Sequence, residues 1–351
     1  MQISPSHIVR VLALVAVTLF SGCVSYKASI PVAADGQPQT VHVLPALYDE
    51  EIGVQIVVAD SSAATAQYGL IGALVGAAID ASINNSRAKK AERRAEVVRE
   101  MTADFSLQEN FEGALQLTEG GDNWRIDSVS DITADTNIRS MVKEIFDGSE
   151  TDNVVVLTGK YQMTPIVDQV TLTVVQTVYP RTLYAGEKLP KPANTARSFA
   201  YHSPVRPLAY REYLKDEKQA VEQSIRDEYQ QSIDSEPDRE TSLRKAMEKE
   251  LEEIAESNQI PETIAIRETW PQVLVAGYLR QAKPHIQLMV EHDWNDQAAE
   301  KWNADTQESF SYVASSGMRI NAVGQKITEL NGQTIYRLRH GDIVSVPSAI
   351  E

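Results

Sequence analysis

Cysteine is almost absent from this chain: Cys23 is the only one among 351 residues. An intramolecular disulfide is therefore impossible, and a hydrophobic core has to stabilise the fold without covalent help. Hydrophobic residues make up 42% of the chain, which is sufficient for such a core. The length allows one large domain or two ordinary ones.

The motifs of common enzymes are missing as well. The sequence contains no Gly-x-Ser-x-Gly, no Walker loop, no His-Glu-x-x-His, no cysteine pair and no Gly-x-Gly-x-x-Gly. We therefore predict a protein that is not an enzyme and that has no cofactor. A catalytic site assembled from distant residues, acting on cell-wall material, is the alternative.

Basic residues are too few for a general nucleic-acid binder. The chain has 33 Lys and Arg against 49 Asp and Glu, a formal net charge of −16. Binding to phosphates needs a basic surface, so we predict no nucleic-acid partner.

The apolar run at the start of the chain is too short for a membrane span. Val11–Phe20 carries no charge, follows a positively charged start, and precedes the small residues Ser21 and Gly22 and then Cys23. This arrangement predicts a secretory signal peptide over residues 1–22, cleaved between Gly22 and Cys23.

The end of this leader resembles the bacterial lipobox, with Phe20 in the place where that motif usually has leucine. The resemblance implies that Cys23 carries a diacylglyceryl group and an amide-linked palmitate. It also implies outer-membrane lipid as a partner, on the periplasmic face, because Val24 rather than aspartate follows the cysteine. The alternative is an ordinary signal peptide followed by a stray thiol.

Residues 68–83 contain glycines at helical spacing: Gly69, Gly72 and Gly76. Each costs a helix about 1 kcal/mol relative to alanine, so something must approach the backbone closely. The pattern resembles the glycine-zipper segments of uncharacterised Gram-negative envelope lipoproteins. It indicates either membrane insertion with self-association into a homo-oligomer or a soluble helix laid on a sheet. Sixteen residues give a helix of about 24 Å, shorter than the ~30 Å apolar bilayer.

Residues 86–100 form the one locally basic run of the chain. Apolar residues at helical spacing run through it and on to Leu117, which predicts a continuing helix. Its basic face could sit over anionic headgroups, or it could be a solvated surface with ion pairs.

Between residues 124 and 203 the sequence pattern changes between that of strands and that of helices. We predict a helix over 136–146 capped by Asp135, an antiparallel pair formed by residues 154–161 and 170–178, and an edge strand over 195–203. With strands at 39–44, 53–58 and 124–129, this order predicts an α+β fold, with an antiparallel sheet packed against helices. Residues 50–180 resemble in element order the amino-terminal domain of the Tol-system propeller protein, curli-secretion lipoproteins and activators of peptidoglycan synthases.

Residues 208–258 are helix-forming and strongly charged, with narrow apolar stripes on both sides of Ser235-Glu236-Pro237-Asp238. We predict an antiparallel helical hairpin, with Ser235 capping its second helix. It is either a partner-binding arm or a surface insertion packed on the domain.

Helices over residues 259–300 are expected to complete the core, with Pro284 beginning or kinking one of them. His285 and His292 lie on one helical face there, but the spacing is not the usual one for zinc, so we predict no metal site.

Residues 301–351 read as a small β-meander of five short strands: 311–315, 318–322, 325–330, 333–338 and 343–346. Asn331-Gly332 is a strong hairpin signal. The meander could pack on the main sheet or stand alone.

Together these features predict a lipid-anchored envelope protein with a non-catalytic interaction, assembly or scaffold role and an unidentified envelope protein as partner. The predicted segments are a signal peptide (1–22), a tether (23–48), an α+β domain (49–207), the hairpin (208–258), core helices (259–300) and the meander (301–351).

Overall fold

The computed structural model describes the greater part of the chain after the leader. The described residues are 37–49, 51–55, 87–115, 124–130, 132, 137–186, 188–193, 197–295 and 306–348. The predicted lipidation site and the glycine-rich stretch at 68–83 lie outside these residues.

Ten strands and seven α-helices occur in the described residues. The strands are β1 (Gln39–Leu47), β2 (Gly53–Val54), β3 (Trp124–Val129), β4 (Asn153–Met163), β5 (Val170–Pro180), β6 (Arg197–His202), β7 (Gln307–Val313), β8 (Arg319–Leu330), β9 (Gln333–Leu338) and β10 (Ile343–Pro347). The helices are α1 (87–102), α2 (Leu107–Ala114), α3 (Ile138–Gly148), α4 (Glu217–Ser235), α5 (Glu240–Glu256), α6 (Glu262–Thr269) and α7 (Gln272–Asn295).

All these strands belong to one sheet, in the order β3-β1-β4-β5-β6-β10-β9-β8-β7, with β2 paired to the far end of β4. The α+β prediction is confirmed. The sheet is mixed rather than wholly antiparallel, because β1 lies parallel to β3 and β4, and β10 lies parallel to β6. The parallel β1–β3 and β1–β4 pairs need crossovers, and helices α1, α2 and α3 lie in the chain between these strands.

The predicted pair of β-rich segments is confirmed and forms the centre of the sheet. β4 and β5 pair antiparallel along their full length, from Asn153 opposite Pro180 to Met163 opposite Val170. The loop between them is closed by the Thr164 amide, which donates to the Gln169 carbonyl over 3.1 Å. These two strands could be predicted from the sequence because both contain long runs of β-branched residues that are buried on both faces of the sheet.

The prediction of an edge strand at 195–203 is wrong in its placement. β6 lies inside the sheet, because the last strand of the chain, β10, returns to pair with its second edge. The Asp342 carboxylate fixes this junction by accepting the Ser198 amide hydrogen over 2.8 Å. The C-terminal meander is therefore continuous with the main sheet.

One face of the sheet carries the main hydrophobic core under α2, α6 and α7. The predicted core helices at 259–300 do contribute to it, and α7 runs unbroken through Pro284. Two tryptophans anchor this layer: the Trp270 indole donates to the Val167 carbonyl over 2.6 Å, and the Trp124 indole donates to Asn295 over 3.0 Å.

The opposite face is covered at one end by α3, whose Val142 and Phe146 pack on β1 and β4. This helix begins later than predicted. Its cap is Asn137, whose side chain accepts the Ser140 amide over 3.2 Å; the predicted cap, Asp135, lies outside the described residues.

The expected continuous helix through residues 86–117 is interrupted. After α1 the chain turns at residues 103–106, and Ser106 caps a separate helix, α2, by accepting the Glu109 amide over 3.1 Å. Hydrophobic spacing continues across the break because both helices pack on the same core.

The meander has four strands rather than the five predicted. Residues 318–322 and 325–330 form one long strand, β8, with a register shift between Lys326 and Thr328. The Asn331-Gly332 hairpin is confirmed, and both residues have positive φ, 50° and 75°.

Candidate functional site

The predicted anchor residues, Gly22 and Cys23, and the glycines Gly69, Gly72 and Gly76 lie outside the described residues. Among the residues that are described, no helix combines the length and apolarity needed to cross a membrane.

The helical hairpin of α4 and α5 is present as predicted. The helices run antiparallel, since the Lys218 ammonium bonds the Ala255 carbonyl near one end and the Tyr229 hydroxyl donates to Glu250 further along. Their apolar stripes face each other, but only a few side chains are fully buried. These are Ile225, Ile233 and Ile254. The hairpin therefore has a thin internal core and a large polar surface.

The turn of the hairpin differs from the predicted cap. Ser235 donates its hydroxyl back to the Ser232 carbonyl over 3.0 Å, and α5 starts after a single 3₁₀ turn at Pro237–Arg239 without a side-chain cap.

An ionic clamp holds the base of the hairpin to the body. The Arg211 guanidinium binds Glu217 at the start of α4, at 2.7 Å, and also Glu268 on α6. These partners hold the pKa of Glu217 well below its usual range and raise that of Arg211. An antiparallel bridge between Glu212 and Gln259 closes the same neck. The hairpin thus leaves the body at a fixed point rather than through a loose linker.

The basic run of α1 lies beside this acidic hairpin. Burial raises the pKa of Tyr229 to about 12 and the Glu250 charge adds to this, whereas the nearby Arg93 charge lowers it. Arg94 forms a two-point ion pair with Glu262 at the start of α6. Part of the basic character at 86–100 is therefore balanced by acids of the protein itself.

The outer face of α5 carries a row of exposed glutamates at four-residue spacing: Glu248, Glu252 and Glu256. Like charges at this spacing destabilise a helix, by roughly 0.2–0.5 kcal/mol per pair, and here the exposed Lys245 and Lys249, three positions before Glu248 and Glu252, offset part of that repulsion. A positively charged partner bound to this row would reduce the repulsion between its glutamates. The sequence signal for it is the net charge of the segment, not any motif.

The histidines of α7 have structural surroundings. His285 is fully buried, its ring 5.2 Å from that of Tyr201, and its Nδ1 lies 2.8 Å from the Ser345 hydroxyl. Within the described part of the chain, no group of three or more His, Cys, Asp or Glu side chains is arranged to hold a metal ion.

His42 on β1 lies between two serines, Ser128 near the end of β3 and Ser130 just after it. Both ring nitrogens of His42 contact serine hydroxyls, Ser128 at 2.5 Å and Ser130 at 3.0 Å. Burial lowers the pKa of His42, and the Asp127 charge raises it. With both nitrogens engaged, the imidazole links β1 to the edge strand β3, and we assign it a structural role rather than that of a free base.

A groove on the opposite side of the sheet from the main core was not foreseen from the sequence. Three strands separate β6 from β7, so these two would be about 19 Å apart in a flat sheet. Yet the ring of His202 on β6 lies 5.1 Å from the ring of Tyr312 on β7. The end of the sheet therefore curls into an open half-barrel, which leaves a groove of about 520 Å³.

A small cluster packs the deeper part of this half-barrel, where the rings of Phe310 and Tyr336 stack 4.0 Å apart. No sequence pattern indicates the groove, because His202 and Tyr312 are 110 positions apart and meet only through the return of β10 to β6.

Comparisons of the chain with protein-family models and with curated protein sequences find no match.

Proposed function

We propose that this chain is a lipid-anchored envelope protein with a non-catalytic role as an interaction or scaffold protein. In this proposal acylated Cys23 holds it on the periplasmic face of the outer membrane, and the α4–α5 hairpin binds a basic surface of an envelope protein. The lipobox resemblance supports the anchor.

The exposed glutamate row of α5 carries the hairpin part of the proposal. The ionic clamp at the neck holds this row at a defined position. In the free protein these glutamates repel one another, so a basic surface of a partner that covered them would bind favourably. The acidic arm predicts fast, salt-sensitive association, because electrostatic steering weakens at high ionic strength.

A photo-reactive amino acid placed at Glu252 should crosslink in cells to one specific envelope protein. The same residue placed at Val273, an exposed position (82%) on α7, is the matched control and should not give that product. Mass spectrometry of the crosslinked band identifies the partner.

Reversing the row with Glu248→Lys, Glu252→Lys and Glu256→Lys should abolish the crosslink to this partner. The triple reversal of Glu109, Glu144 and Glu150, which are exposed elsewhere, changes the net charge equally and should leave it intact. The hairpin would not be the binding surface if positions 252 and 273 crosslinked equally to this partner. The same would follow if both triple variants lost the crosslink. Crosslinks only between copies of this chain would instead favour self-assembly.

Cys23→Ala should release the protein from the membrane fraction and remove incorporation of a clickable palmitate analogue. Two or three acyl chains contribute ~0.8 kcal/mol per buried methylene, and the variant has none of them. Ser25→Ala is the control with an intact lipobox cysteine. A Cys23→Ala protein that stays in the membrane and still incorporates palmitate would refute the anchor.

A further inference from the structure

The half-barrel groove is lined partly by short side chains, although larger ones such as Tyr312, Ile320 and Leu338 also line it. Small barrels are normally filled by their own interior side chains. Here Ser198 and Ala200 on β6 and Ala322 on β8 are too short to fill the space between the curled strands, and part of it stays open. Its volume of about 520 Å³ lies within the range of small-molecule sites.

His202 on the wall of this groove has an unused polar atom. The side chain is only 3% exposed, and its Nδ1 has no hydrogen-bond partner among the described residues. Burial lowers the pKa of His202 to about 4, so at neutral pH its imidazole is an uncharged group that both donates and accepts. A buried polar atom without a partner is costly, and a bound hydroxyl or amide would remove that cost.

The charged side chains that line the groove limit the class of ligand that it can bind. The formal charges of Arg339 and Asp342 at one end cancel, so a charged ligand finds no net opposite charge. A purely apolar ligand would leave the Nδ1 of His202 without a hydrogen-bond partner. The lining combines apolar side chains with polar ones, among them the buried imidazole of His202 and the imidazole of His340 at the mouth beside Asp342. This combination matches a ligand that presents both C–H faces and hydroxyl groups.

We propose that this groove binds an uncharged saccharide. The site lies apart from the hairpin, and the proposal does not depend on the lipid anchor or on the partner of α5. Binding is expected to be weak on the free protein, because an open groove buries one face of a ligand.

The test is titration calorimetry and saturation-transfer NMR with chitotetraose, a neutral oligosaccharide. The full protein is kept in a detergent without a sugar headgroup. Wild type is expected to bind with a Kd of about 1 mM or tighter. Ala322→Trp, which fills the groove, should weaken binding at least about tenfold, and His202→Phe, which keeps a flat ring but removes both nitrogens, about fivefold.

Val175→Ala is the matched control, because Val175 is exposed on β5 but does not line the groove; it should bind as wild type does. Thermal unfolding of each variant separates loss of the site from loss of the fold. Absence of a chitotetraose signal in wild type overturns the proposal. It is equally overturned by unchanged binding in a folded Ala322→Trp variant, or by tighter binding of hexagalacturonate or dodecanol than of chitotetraose.

Discussion

Protonation of two buried histidines is expected to reduce the free energy of unfolding by about 4 kcal/mol when the pH is lowered from 7.5 to 5, and His42, whose pKa burial also lowers, adds to this loss. Burial lowers the pKa of both His202 and His285 from 6.5 to about 4. At pH 7.5 each is almost entirely neutral in both the folded and the unfolded chain, so neither penalises folding. Between pH 6.5 and 4 the unfolded chain takes up protons that the folded one cannot, and stability falls.

Urea unfolding followed by circular dichroism at several pH values measures this dependence. His202→Phe should remove about 2 kcal/mol of the loss between pH 7.5 and 5. Val175→Ala, at an exposed position on β5 that carries no titratable group, is the control and should leave the slope unchanged. A His202→Phe variant with the wild-type pH slope would show that His202 is protonated as easily in the folded chain as in the unfolded one.

Local features of this fold could be predicted from the sequence because short-range physics decides them. The β4–β5 pair follows from β-branched runs, the turn at Asn331-Gly332 from its left-handed preference, and the α4–α5 hairpin from two stripes at helical spacing. The core role of α6 and α7 follows from their apolar composition.

Long-range pairing could not be predicted in this way. β6 has the same alternation whether it is an edge or an inner strand, and only its pairing with β10, 144 positions later in the chain, makes it an inner strand. The break between α1 and α2 was hidden for a related reason, because two helices on one core keep a common hydrophobic period.

The acidic hairpin and the groove also differ in how far the sequence predicts them. The acidic hairpin is visible in the sequence as a charge imbalance, but the alignment of Glu248, Glu252 and Glu256 on an exposed face needs the packing of α5. The groove depends on a sheet that curls until His202 meets Tyr312, and no local pattern encodes that curvature.

Gly159→Ala is expected to destabilise the protein by about 2–3 kcal/mol, although glycine within a strand normally weakens it. A Cβ built at Gly159 on β4 would lie 2.3 Å from a ring carbon of Phe111 on α2, and Phe111 is fully buried. The ring cannot move aside in the packed core without displacing α2. Gly148→Ala is the control, since a Cβ there meets no atom within 4 Å. Urea unfolding of both variants measures the difference.

A double-mutant cycle shows whether the Phe111 ring is the cause. Phe111→Leu alone should cost about 1–2 kcal/mol by leaving space in the core. Combined with Gly159→Ala, it should cost at least about 1 kcal/mol less than the two changes added together, because the new methyl group occupies part of the space that the ring vacates. Strict additivity would mean that the two positions are not in contact, and α2 would then not lie against β4 at this point. A favourable coupling would instead show that α2 packs against β4 at this point, with the Phe111 ring over Gly159.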